Sequence, residues 1–127
     1  MAPDESPLDL EILDENADIG LEGLRELIDM YLTQADEILA NLQVAIRTGA
    51  AGDVDQLAHK LAGSSAVCGV AAMVKPLRAL EQRGREGRLS DADQLLDQTT
   101  DQLEICRRLL AEYLAEKKQS PLPLGEG

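Results

Sequence analysis

A chain with one histidine has little room for imidazole chemistry, and the setting of that histidine decides what chemistry remains. His59 lies in LAHKLAGSSAVCG, residues 57–69, four positions before Gly63, in a stretch that otherwise favours helix. On a helix a side chain meets the positions three and four away, and the position seven away shares its face. For His59 these C-terminal neighbours are Ala62, Gly63 and Ala66, all small, where a solvated face would carry Glu, Lys or Gln. Glycine costs about 1 kcal/mol relative to alanine inside a helix, so Gly63 asks for a reason. The pattern leaves the imidazole clear on a smooth patch that another macromolecule can reach. A neutral, exposed imidazole is itself a competent nucleophile.

Chemistries that need more than this are excluded. A dinuclear carboxylate bundle takes Glu-x-x-His from two helices, and one histidine cannot supply both. Zinc sites need more His and Cys at ligand spacing, so no metal site is expected. AGSSAVCG lacks the G-x-S-x-G elbow, and no second histidine could act as base. GREGR has no Gly-Lys-Ser/Thr ending, which excludes a phosphate-binding loop, and nothing suggests an ATP site or a cofactor.

Charge points to the same region. The chain carries 12 basic against 24 acidic residues, a net charge of −12, which disfavours nucleic acid and anionic membrane as partners. Residues 59–88 reverse the sign. They hold Lys60, Lys75, Arg78, Arg83, Arg85 and Arg88 against Glu81 and Glu86 only. Lys75, Arg78 and Arg85 share one exposed side of a helix by spacing. In so acidic a protein the segment reads as a docking surface for an acidic partner or a phosphoryl group.

The elements that must position these residues are helices. Val, Ile and Thr never alternate with polar residues over a strand's length, and the core must be built from Leu, Ile, Val, Ala and Met, with no Phe or Trp. The ends, residues 1–7 and 119–127, carry four of the five prolines and are expected to be disordered around one domain at 8–118. A short helix is predicted over about 8–15. A long one over about 20–48 follows, with an apolar stripe from Leu21 to Ile46. The second long helix is predicted from an N-cap at Asp53, with Gln56 in capping-box position, to about Cys68, with Gly69 as the stop. The third covers about 71–87, with Pro76 either in its first turn or marking a kink. The fourth opens at a Ser90 cap with Asp93 behind it. The fold class predicted is all-α: an antiparallel up-down four-helix bundle with a short extra N-terminal helix. On the second helix Val54, Leu57, Ala58, Leu61, Ser65 and Cys68 form the core arc, and His59 points the other way. Cys68 and Cys106 read as reduced core thiols. No export signal or membrane span is visible, so a cytoplasmic protein is expected.

With the motif in its bundle, the sequence resembles the histidine-containing phosphotransfer (HPt) family. That family's pattern is close to His-x-Leu-Lys-Gly-Ser/Ala-Ser/Ala on the second long helix of a four-helix bundle, with a glycine shortly after. Here it reads HKLAGSS, then Gly69. The resemblance spans about residues 18–115, including LIDMYL on the first long helix and ALEQRGREG after the motif. It implies that His59 is the phosphoacceptor, through Nε2, and that Gly63 gives a partner room to approach. Ser64 and Ser65 match the family's small residues and are expected to pack between helices, bonding back to helix carbonyls. Ala62 stands where the family has lysine. Lys60, the nearest cation in sequence, is expected to substitute for it in part beside the phosphoryl group, and Gly63 to lie next to that group. The resemblance implies a phosphocarrier rather than an enzyme. Its partners would be receiver domains of response regulators or a hybrid histidine kinase, with Mg²⁺ held by the receiver alone. A stand-alone monomeric shuttle is expected; the alternative is a helical adaptor, or a kinase-inhibiting module, that docks through the same face without carrying phosphate.

Overall fold

The computed structural model describes residues 6–119. Of the expected disordered ends, residues 1–5 and 120–127 lie outside these. Pro7 is tied down, its carbonyl accepting from Ala72 N at 3.0 Å, and Gln119 still belongs to the last helix.

Five α-helices are formed, with no strand among the described residues: α1 (Leu10–Asn16), α2 (Leu21–Arg47), α3 (Ala51–Val67), α4 (Val74–Glu86) and α5 (Ala92–Gln119). Short 3₁₀ turns at Ala17–Ile19 and Ala71–Met73 lead into α2 and α4. α2 packs on α3 and α5, and α4 packs on the same two, closing a four-helix bundle. The predicted stripe of α2 is the buried one, including Leu24, Ile28, Tyr31, Ala35, Ile38, Leu39, Leu42 and Ile46. Burial of the Leu and Ile side chains among these, each worth about 1.5–3 kcal/mol, is what holds the helices together.

α1 is the short extra helix and closes one end of the bundle. Asp9 N donates to Gly69 O at 2.8 Å, and Tyr113 Oη donates to Asp14 Oδ1 at 2.7 Å. Gly69 ends α3 as predicted, at φ +79°, and a side chain there would also press on Asp9 O and Leu13 at 3.1 Å.

Two caps differ from expectation. α3 starts at Ala51, two residues before Asp53, because the turn from α2 is tight: Ala50 N bonds Ala45 O at 2.8 Å, and Asp53 N already bonds Ala50 O at 3.0 Å. Asp53 therefore sits in the first turn, where its charge still favours the helix dipole. α5 starts at Ala92, so Asp91 rather than Ser90 precedes it, and the Asp91 carboxylate is engaged by Arg83 at 2.9 Å. Pro76 is the third residue of α4, within the first turn. Both cysteines are free of a disulfide, Cys68 half-buried and Cys106 buried with its thiol donating to Pro7 O at 3.8 Å; burial pushes the Cys106 thiol up to about 11.

Candidate functional site

α3 runs between α2 and α4, so it has two buried seams rather than one. Val54, Ala58, Leu61 and Ser65 are buried as the core arc predicts. His59 stands at the outer edge of the α3–α4 seam with its side chain 67% exposed. Ala62 does not belong to the patch around it. It is 0% exposed, because it lies one helical repeat beyond Asp55 on the row that faces α4. Its small size serves helix packing, and it offers a partner nothing to touch.

The close approach of α4 has an identifiable cause in Gly84. A Cβ there would fall onto Asp55 N and within 2.6 Å of Ala51 O. The absence of a side chain lets the two backbones meet and carries Glu81, one turn earlier on α4, to the imidazole. Gly63 is the opposite case. A Cβ there would meet nothing within 4 Å, so no neighbouring helix requires the glycine.

Glu81 is the centre of the site. Its side chain is only 9% exposed, and its carboxylate takes three charge-compatible contacts: His59 Nδ1 and Arg85 Nη2 on Oε2, and Arg78 Nη1 on Oε1, each at 2.8 Å. Arg78 Nη1 also lies 3.4 Å from His59 Nδ1. That nitrogen cannot both donate to the carboxylate and accept from the guanidinium, and the shorter contact to a charged acceptor decides. In the neutral ring the proton is therefore on Nδ1 and the lone pair on Nε2. The hydrogen bond from Arg78, and then that from His59, holds the Glu81 carboxyl below the usual carboxylate range, although burial works the other way. Arg85 Nη2 reaches on to Asp55 Oδ1 at 3.5 Å.

Arg78 and Arg85 were expected on a free basic face. Both are exposed, at 47% and 64%, but their charge is shared with Glu81, and Lys75 and Lys60 take no part in this network. Ala66 is exposed as predicted. Ser65 is buried and does not bond back to its own helix; its Oγ meets Tyr31 Oη at 2.6 Å, tying α3 to α2. Ser64 is half-exposed beside it.

Sequence reasoning missed two features. One is Glu81, hidden by a separation of 22 residues from His59; its signal was the pair of arginines at i−3 and i+4. The other is an apolar groove between α2 and α3 lined by Leu27, Met30, Tyr31, Gly63, Val67 and Cys68. Met30 and Val67 are large apolar residues left exposed, and they lie outside the stripes of their helices. Among the described residues no group of three or more His, Cys, Asp or Glu could hold a metal ion, and no helix is long and apolar enough to cross a membrane.

A nucleophilic nitrogen on the second long helix of a four-helix bundle, with its other nitrogen pinned by a carboxylate, is geometry for carrying a phosphoryl group. The family model of the Hpt domain matches residues 26–116. The chain is an Hpt domain. Its fold is also that of a solved relative: the crystal structure of histidine-containing phosphotransfer protein B (HptB) from Pseudomonas aeruginosa PAO1. That structure superposes at a TM-score of 0.82 with 25% identity, covering 91% of this chain and 98% of the other. No match was found among curated proteins. As an Hpt domain the protein has a histidine phosphotransfer role in a two-component relay, as a phosphocarrier, and receiver domains of response regulators or hybrid kinases are the partners of its family.

Proposed function

We propose that His59 is the phosphoacceptor and that it works through Nε2, taking the phosphoryl group from the aspartyl phosphate of one receiver domain and giving it to the aspartate of another. The observation that carries this is the 2.8 Å contact from Nδ1 to the buried Glu81 carboxylate. The Nε2 lone pair attacks phosphorus, the P–O bond of the acyl phosphate breaks, and its electron pair leaves with the receiver's carboxylate. The ring becomes positive, and Glu81 offsets that charge while the proton stays on Nδ1. In the second transfer the P–N bond breaks and the imidazole leaves neutral, ready for another cycle. The receiver is expected to supply the metal ion and its acidic ligands, with in-line positioning.

The receiver would dock over Gly63 and Ala66, where no side chain obstructs the imidazole. Met30 and Val67 in the adjoining groove provide apolar contact, and Lys75 and Lys60 provide long-range attraction. A second receiver would use the same face, because both transfers need the same nitrogen.

The test is His59→Gln, offered a phosphorylated receiver. The parent should gain acid-labile, base-stable phosphate and the variant none. Folding should hardly change, since the imidazole is exposed and Glu81 keeps two arginines; the loss should stay below about 1 kcal/mol. Labelling retained in the variant would move the acceptor elsewhere. Receiver binding by the parent without any labelling would make it an adaptor.

A further inference from the structure

We propose that Arg78, reaching over from α4, is the cation that holds the phosphoryl group once it is on His59, an assignment that rests on His59 being the acceptor. Three cations lie near the imidazole. Lys60 is next in sequence, but one residue is about 100° around a helix, and Lys60 lines the flank of α3 that faces α2, with Asn41, Val44 and Thr48. Arg85 is held between Glu81 Oε2 at 2.8 Å and Asp55 Oδ1 at 3.5 Å, and makes no hydrogen bond to the ring.

Arg78 differs from both. Its Nη1 is 3.4 Å from the ring nitrogen and 2.8 Å from Glu81 Oε1, and its side chain is 47% exposed. A guanidinium presents five N–H donors in a rigid fork suited to phosphate oxygens. Only those on Nη1 are engaged among the described residues, which leaves Nε and Nη2 to meet new acceptors. A phosphoryl group on Nε2 brings three acceptor oxygens to the exposed edge of this ring. Glu81 already holds the arginine beside it, so little side-chain freedom is lost when the contact forms. From the row of α3 that faces α4 no cation competes, since Ala62 is sealed in the core.

The consequence is chemical. In cleavage of the P–N bond by water the transition state is loose and metaphosphate-like. The bonding pair leaves with the imidazole and quenches its positive charge, so negative charge drains from the three oxygens toward the ring. A cation on those oxygens stabilises phosphohistidine more than that transition state. Arg78 thus lengthens the life of the carried group between partners.

The experiment needs no receiver. The full chain and its Arg78→Gln, Arg78→Lys and Lys60→Gln variants are loaded with phosphoramidate, and loss of the phosphoryl group is followed by ³¹P NMR. Arg78→Gln should shorten the half-life about three- to fivefold, the size of an exposed charge contact, and should raise the ³¹P titration midpoint of the phosphoryl group. Arg78→Lys should restore most of both, and Lys60→Gln should change neither. Parental values in Arg78→Gln, or the effect appearing in Lys60→Gln instead, overturn the assignment. So does a shortened half-life that lysine fails to rescue and that accompanies loss of the Nδ1–H form before loading, because Arg78 would then act only by supporting Glu81. A parent that takes no label on His59 overturns the acceptor reading as well; normal labelling that is indifferent to Arg78 overturns this assignment alone.

Discussion

Glu81 gives the sharpest test of how the site is built, because its removal should separate stability from chemistry. In Glu81→Ala three donors lose a nearly buried carboxylate. Charge-assisted hydrogen bonds contribute about 1.5–3 kcal/mol each when both partners are desolvated. Here His59, Arg78 and Arg85 are all well exposed and can turn to water, so each contact is discounted to a fraction of that. The balance is a loss of about 1–2 kcal/mol for the three together, or about 4–8 °C in Tm for a chain of this size. The effect on chemistry should be larger. Without the acceptor nothing fixes the proton on Nδ1, and the Nε2–H form, which cannot attack, becomes populated. ¹⁵N-resolved NMR of the His59 ring should show the Nδ1–H form in the parent and a mixture in Glu81→Ala, with phosphoryl uptake from a receiver falling in step. Glu81→Gln should keep the ring contact through its amide oxygen and lie between the two. The pH dependence has a definite sign. A carboxyl whose folded pKa is depressed contributes its stability in full above its unfolded value, near 4.5, and loses it as pH falls from there through the folded value. The parent should therefore lose its advantage over Glu81→Gln on acidification below about pH 4.5. A Glu81→Ala protein that keeps the parental tautomer and transfer rate would refute the pinning, and one destabilised by more than about 4 kcal/mol would show a buried ion cluster rather than an exposed one.

Two glycines predict opposite outcomes. Gly63→Gln should be at least as stable as the parent, gaining up to about 1 kcal/mol of helix propensity, because its Cβ enters open space; receiver binding and transfer should nevertheless drop, and parental transfer would end the access reading. Gly84→Ala should lose about 1–3 kcal/mol in urea unfolding through overpacking, since its Cβ falls on the α3 backbone, and should also weaken the His59–Glu81 contact seen by NMR. Unchanged stability there would mean the two helices can part freely.

Much of this protein is determined by local pattern. The 3.6-residue apolar stripes placed four long helices within a few residues of their observed ends, and Gly69 terminated α3 for the reason its backbone shows. The exposure of His59 followed from its angle to Val54, Ala58 and Leu61, and the open space at Gly63 from the improbability of an unforced glycine in a helix. Such properties depend on residues within one or two turns, which sequence spacing orders directly. What escaped was decided between helices. Ala62 looks like part of the smooth patch when α3 is read as having one buried face, but α4 covers its other side. Gly84 falls inside the predicted third long helix with nothing in the local pattern to mark it, yet it lets that helix come close to α3. Glu81 becomes the partner of His59 only because that approach brings residues 22 apart within 2.8 Å, whereas its pairs with Arg78 and Arg85 lie along α4 itself, at i,i+3 and i,i+4 spacing. Helix periodicity says which way a side chain points along its own axis. The distance and rotation between two axes come from how their surfaces interlock, and here a missing Cβ on α4 permits the close approach.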